Sequence, residues 1–183
     1  MSKSPGVLDP EDIKQFELLK EKSRALRGEI IERTTEAERL IESIIVFTFF
    51  PLKAETENGM LLGSVVLREL SSRNKITILR KLLKLRHQEV LKNHPKFIDD
   101  ILYIFKFRNR LAHTALDTSP EFINKRYEDR IRLYLDEDGK RKTINIFDKD
   151  IDMYRAKCTG IVTKLVKIVY EINEVNNPDR FSR

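Results

Sequence analysis

Apolar residues recur at helical spacing over most of this chain, and this periodicity constrains the fold more than any other feature of the sequence. It is clearest in EIIERTTEAERLIESIIVFTFFP, where Ile30, Ile31, Ala37, Leu40, Ile41, Ile44 and Ile45 recur at helical spacing until Pro51. Proline ends a helix because it has no amide hydrogen to donate and its ring clashes with the preceding turn. Stretches with the same period begin near Met60, Asn74, Lys96 and Asp148. The pattern therefore predicts an all-α fold, a helical bundle.

The first helix has a clear start signal. Asp9 is the predicted N-cap, Pro10 takes the first helical position, and acidic residues follow in the first turn. Gly28 either breaks this helix or only bends it, so residues 9–27 are predicted as an N-terminal helix. At the other end, residues 176–183 are polar and predict a frayed tail.

One stretch departs from the helical period. RIRLYL and KTINIF are rich in β-branched and aromatic residues, and the polar DEDGKR separates them. Asp138-Gly139 is predicted to form the turn, since Asp-Gly is a favoured hairpin dipeptide. We therefore expect a small β-hairpin insertion over residues 128–148, before the last helix. The chain shows no repeat of fixed length, so a single domain is expected over residues 1–183.

Composition limits the setting and the partners. Lys and Arg number 35 against 29 Asp and Glu, a formal net charge of +6 that suits an anionic partner. Cys158 is the only cysteine, which favours a reducing compartment. The amino terminus lacks the apolar run of a signal peptide, and the longest apolar run, IIVFTFF, is too short to span a bilayer. A cytoplasmic protein without membrane contact is expected.

Two common site chemistries are disfavoured by the sequence. Gly59 and Gly63 are not followed by the Lys-Ser/Thr pair that a phosphate-binding P-loop requires. A single cysteine and the scattered His87, His94 and His113 do not supply a closed zinc ligand set. We therefore expect neither a metal nor a cofactor.

The segment IFKFRNRLAHTAL places charged and polar residues inside an apolar helical stretch. In a helix, Asn109 and His113 share one side, whereas Arg108 lies about 140° from His113 and has a long side chain that can swing towards it. Arginine binds phosphate bidentately, and histidine exchanges a proton near neutral pH. Together they can catalyse internal transesterification of RNA. A solvated basic face, or a hydrogen-bonded core histidine, explains the same residues without catalysis.

FRNRLAH resembles the signature of the HEPN superfamily: an arginine, a polar residue, three or more further residues, and a histidine. The order of predicted elements over residues 29–175 resembles that family as well. The resemblance implies a homodimer that brings two motifs together and, in active members, a metal-independent endoribonuclease of toxin–antitoxin, phage-defence or RNA-processing systems. By this resemblance Arg108 and His113 are the catalytic pair, and Asn109 is the supporting polar residue.

The same resemblance leaves other functions open. Many HEPN domains act only as binding or scaffold modules, so the alternative is a non-catalytic module that binds RNA, nucleotide or a protein partner. A cognate antitoxin is one such partner. The chain could also be the antitoxin or regulatory half of a pair.

Further residues are candidates for holding RNA or supporting the motif. Lys106 directly precedes the motif and Arg110 lies within it, and Arg80 and Lys84 lie on a predicted helix dense in lysine and arginine. Such cations bind an RNA backbone, but they also commonly form an ordinary solvated face. Among the acids of the early helix, Glu38 is the first choice for orienting the motif; an ordinary surface acid is the alternative.

Overall fold

The computed structural model describes residues 9–50, 57–123, 129–137 and 140–176. Most of these residues are helical, in α1 (Pro10–Phe49), α2 (Glu57–Leu61), a π-helix (Leu62–Leu67), α3 (Ser72–Arg86), α4 (Gln88–Asn93), α5 (Phe97–Ala112), α6 (Pro120–Ile123) and α7 (Asp148–Asn176). The strands are β1 (Ala115–Leu116), β2 (Arg130–Glu137) and β3 (Lys140–Phe147). The predicted helical character and the hairpin before the last helix are confirmed.

A reciprocal pair of hydrogen bonds starts α1. The backbone N–H of Asp12 donates to Asp9 Oδ1 at 2.8 Å, and the N–H of Asp9 donates to Asp12 Oδ2 at 3.3 Å. Each bond satisfies an amide at the helix entrance, as in a capping box. The predicted N-cap at Asp9 is confirmed, and Pro10 is the first helical residue.

Helix α1 continues through Gly28 as one helix of 40 residues. A glycine in a helix costs about 1 kcal/mol relative to alanine, and apolar residues on both sides of Gly28 are buried in the core. Their packing outweighs the local cost, so the helix begun at Pro10 extends well past residue 27. It ends at Phe49, close to the predicted stop at Pro51, which lies outside the described residues.

The helix that was predicted to begin near Asn74 is interrupted at His87, whose φ and ψ are −137° and 52°. Helix α3 ends one residue before it, and α4 begins one residue after it. Leu79 and Leu83 lie on the buried side of α3. A straight continuation of that side would bury Arg86, three positions further on. The break leaves Arg86 exposed and still buries Val90.

The sheet has one strand more than the sequence predicted. Strands β2 and β3 pair antiparallel from Arg130↔Phe147 to Glu137↔Lys140. The predicted turn, Asp138-Gly139, lies outside the described residues. Strand β1 adds to the other edge of β2, with Ala115 opposite Tyr134 and Leu116 opposite Leu133. The chain that leaves α5 therefore enters the sheet, whereas the sequence predicted helix to Leu116.

The described chain divides into two compact units. The first unit comprises the described residues up to Ile31 and Phe107–Arg155; the second comprises Glu32–Lys106 and the described residues from Ala156. Each unit has a buried apolar core. Core residues of the first unit include Phe107, Phe122, Ile131, Leu133 and Tyr154. Those of the second include Ile41, Leu79, Leu83, Ile101 and Leu165.

Candidate active site

The motif begins in the last two turns of α5, in the first unit. Phe107 and Leu111 are buried, and the Phe107 ring stacks on Tyr154 with ring centroids 4.8 Å apart. Asn109 and Arg110 are exposed. Because the buried side of the helix is fixed by Phe107 and Leu111, Asn109 faces solvent.

His113 lies one residue beyond the end of α5, in a turn, and is exposed. Its backbone N–H donates to the carbonyl of Asn109 at 3.2 Å, so the i to i−4 bonding of the helix extends to this residue. Asn109 and His113 therefore both face solvent, although the sequence predicted only that they share one side of a helix, and His113 lies beyond the helix end. Arg108, beside Asn109, is half-buried.

A guanidinium group from α1 fixes the turn that carries His113. Arg27 Nη1 donates to the carbonyl of Leu111 at 2.7 Å, and Arg27 Nη2 donates to the carbonyl of Thr114 at 2.8 Å. The Thr114 hydroxyl also donates to the Leu111 carbonyl, at 3.1 Å. A cation suits this position because the carbonyl end of a helix carries partial negative charge. We call this arrangement the Arg27 clamp.

Removing the clamp should loosen this turn. Arg27→Ala deletes the hydrogen bonds to the Leu111 and Thr114 carbonyls and a longer one from Arg27 Nε to Ser23 Oγ, at 3.5 Å. We expect it to lower the free energy of unfolding by about 3 kcal/mol, measured by urea denaturation. The matched control is Arg24→Ala on the same helix. Arg24 is exposed and pairs with Glu21 at 3.0 Å, so its loss should cost about 0.5 kcal/mol or less. Equal losses in the two variants would contradict the clamp.

Asp117 anchors the chain just after β1. It is fully buried and accepts hydrogen bonds from the Ser119 N–H at 2.9 Å and from Arg132 Nε. Its own N–H donates to the carbonyl of Arg132 at 2.8 Å. Burial alone would raise the pKa of the Asp117 carboxyl, but hydrogen bonds from Ser119, Tyr134 and Arg132 together hold that pKa below its ordinary value.

The lowered pKa of Asp117 gives stability a dependence on acid pH. Its contribution is complete above the unfolded pKa, near 3.8, and is lost as the pH falls through the lower folded pKa. We expect Asp117→Asn to reduce the free energy of unfolding by about 2 kcal/mol at pH 7. The difference in free energy of unfolding between variant and wild type should be smaller at pH 3 than at pH 7, and urea denaturation at both pH values measures it. An equal difference at pH 7 and pH 3 would count against this role for the carboxylate.

Glu38, the predicted supporting acid, lies in the second unit beside a buried lysine. Its Oε1 accepts from Ser72 Oγ at 3.0 Å and from Lys75 Nζ at 2.7 Å. Lys75 Nζ also donates to Glu42 Oε1 at 2.6 Å. Burial alone would lower the pKa of Lys75, but hydrogen bonds to both carboxylates hold that pKa above its usual value. We call these residues the Lys75 cluster. Lys75 lies on the helix that was predicted to be dense in lysine and arginine, but unlike Arg80 and Lys84 it is buried.

The predicted substrate-binding cations are exposed in both units. Arg80 and Lys84 lie on α3, and with Arg73 they fall within about 40° of one another around the helix. We call these three residues the α3 basic stripe. Lys106 is exposed in the second unit, and Arg110 is exposed in the first.

Comparisons with known proteins found no relative of this chain. No family model, curated protein or solved structure matches this chain. Among the described helices, none is long and apolar enough to cross a bilayer. The described residues also contain no group of three or more His, Cys, Asp or Glu side chains that could hold a metal ion.

Proposed function

We propose that this protein is an endoribonuclease of HEPN type that acts as a homodimer and needs no metal ion. The observation that carries the proposal is the turn after α5, where His113 is exposed beside Asn109 and the Arg27 clamp holds the two carbonyls that flank the histidine. An exposed imidazole can reach a substrate, whereas a core histidine cannot. The resemblance of FRNRLAH to the HEPN signature supports the same function.

The proposed reaction is an internal transesterification. The ribose 2′-oxygen attacks the adjacent phosphorus, and the bond from phosphorus to the 5′-oxygen breaks. His113 takes the proton from the 2′-hydroxyl or delivers one to the departing 5′-oxygen, and Arg108 stabilises the charged phosphorane. A homodimer supplies two copies of the motif, one for each proton transfer. The products are a 2′,3′-cyclic phosphate and a 5′-hydroxyl, and no water is consumed.

The proposed substrate contacts are the exposed cations. Arg80 and Lys84 of the α3 basic stripe bind the RNA backbone, and Lys106 and Arg110 bind it near the motif. The proposed setting is the cytoplasm, in a toxin–antitoxin or phage-defence system, where a cognate antitoxin or another protein would regulate the enzyme.

The stripe gives RNA binding a defined salt dependence. Each phosphate contact to a single strand contributes about 0.7 to the slope of log affinity against log salt. The double variant Arg80→Gln/Lys84→Gln should therefore flatten the slope by about 1.4, measured by fluorescence anisotropy with a labelled single-stranded RNA. Lys14→Gln, at an exposed lysine of α1 in the first unit, is the control and should change the slope little. An unaltered slope in the double variant would exclude the stripe from RNA binding.

Incubation of the purified protein with total RNA in EDTA tests the function directly. We expect fragments with 2′,3′-cyclic phosphate and 5′-hydroxyl ends. Intact RNA, with a folded dimeric protein, would contradict the proposal. The exposed α3 basic stripe favours one second candidate, a non-catalytic RNA-binding module, for which the protein would retain RNA without cutting it.

A further inference from the structure

A cleft in the second unit lies between α1 and the segment that contains the π-helix. Its volume is about 480 Å³, and small-molecule sites commonly have about 300–1,000 Å³. Helix α1 contributes Arg39, Glu42 and Phe47 to the lining, and Met60 and Arg68 come from the opposite wall. All of them belong to the second unit, whereas the His113 turn belongs to the first.

Two arginines make this cleft positive. Arg39 and Arg68 are exposed, and within the described part of the chain neither guanidinium has a hydrogen bond or an ion pair. The carboxylate of Glu42, on the same lining, already accepts a hydrogen bond from Lys75 at 2.6 Å. The two guanidinium groups are therefore available to an anion, which each can bind through charge-assisted hydrogen bonds.

The same cleft offers an apolar surface beside the arginines. Phe47 is half-buried, and Met60 is 57% exposed. A methionine sulfur makes favourable contacts with aromatic rings, and phenylalanine stacks with them in offset or edge-to-face arrangements. A ligand ring between Phe47 and Met60 would remove both side chains from water. Aromatic ligands suit this pair better than a bare inorganic ion.

The wall opposite α1 is formed in part by the π-helix, Leu62–Leu67. Such helices are rare and occur frequently at functional sites. Gly63 lines the cleft, and a Cβ atom built on it would lie 3.7 Å from Val46 Cγ2. A methyl group would only touch Val46, but a longer side chain at position 63 would fill space that a ligand needs.

We propose that this cleft binds a small aromatic anion, with its phosphate or carboxylate head group on Arg39 and Arg68 and its ring between Phe47 and Met60. RNA cleavage as proposed above uses none of these residues. A negative result for RNA cleavage would therefore leave ligand binding in this cleft untouched, and the reverse holds as well.

Isothermal titration of the full chain tests the site with four probes: phenyl phosphate, benzoate, inorganic phosphate and phenol. We expect phenyl phosphate or benzoate to bind with a stoichiometry of one per chain and about tenfold more tightly than inorganic phosphate or phenol. Whichever of the two aryl anions binds more tightly identifies the head group as phosphate or carboxylate. Arg39→Gln and Arg68→Gln should each weaken that binding about tenfold, the effect of one charge-assisted hydrogen bond. Gly63→Leu should weaken it at least as much.

Arg86→Gln is the matched control, since Arg86 is an exposed arginine of the same unit outside the cleft. It should leave affinity unchanged. The proposal is overturned if neither aryl anion binds at one per chain. It is equally overturned if Arg39→Gln and Arg68→Gln bind as the wild type does, or if Arg86→Gln weakens binding as much. Both cleft arginines are exposed, so these variants test the site even if Gly63→Leu does not fold.

Discussion

Alanine in place of His113 should lower the rate of RNA cleavage by about 10³-fold, the contribution typical of general acid–base catalysis. The free energy of unfolding should not change, because the imidazole is exposed. The N–H of residue 113 that donates to the Asn109 carbonyl belongs to the backbone and is kept by alanine. Initial rates with a fluorescent RNA substrate in EDTA measure the effect, and urea denaturation confirms the fold.

The matched control for this experiment is His94→Ala. His94 is also exposed, but it follows α4 in the second unit, and its loss should leave cleavage within twofold of wild type. His113→Ala should still bind RNA with nearly unchanged affinity, since the phosphate contacts come from arginine and lysine. Full cleavage by His113→Ala, or an equal loss in His94→Ala, would remove His113 from the chemistry.

Lys75→Ala should lower the free energy of unfolding by about 3–5 kcal/mol, because it removes a buried charge that two carboxylates share. This is the largest stability effect that we expect from a single substitution in this chain. Lys75 is only 5% exposed, and its ammonium group is the shared partner of Glu38 and Glu42. Without it, two carboxylates face each other with no cation between them. Urea denaturation at pH 7 measures the loss.

Two further variants separate the charge from the packing. Lys84→Ala, at an exposed lysine of the same helix, should cost about 0.5 kcal/mol or less. In the triple variant Lys75→Met/Glu38→Gln/Glu42→Gln, all three charges are gone and the volume is nearly kept. It should regain most of the lost stability, because a buried ion pair can often be replaced by uncharged residues at little cost. A triple variant as unstable as Lys75→Ala would assign the effect to packing instead.

Local signals in the sequence predicted much of the fold. The cap at Asp9, the helix end before Pro51 and the period-two runs on either side of Asp138-Gly139 each depend on residues within a few positions of one another. At these positions the local preference and the final structure agree. Gly28 is different: its weak local preference was overridden by burial on both sides.

The features that the sequence did not reveal depend on distant partners. Arg27 looks like one more surface charge of an amphipathic helix, yet its hydrogen-bond partners lie 84 and 87 residues further along the chain. Lys75 is one of many lysines and arginines on its helix, but its partners are carboxylates on α1. Strand β1 is two residues long, too short for any period. Helical spacing placed Asn109 and His113 on one side, but their exposure became evident only from the burial of Phe107 and Leu111.

The first unit is assembled from two stretches of chain, one ending at Ile31 and one starting at Phe107. Pairing of β1 with β2 stays within the later stretch, whereas the Arg27 clamp joins both. Closing a longer loop costs more conformational entropy, and contacts of high sequence separation form slowly. We therefore expect the pairing of β1 with β2 to form before Arg27 reaches the carbonyls of Leu111 and Thr114, so that the turn at His113 gains these hydrogen bonds late in folding.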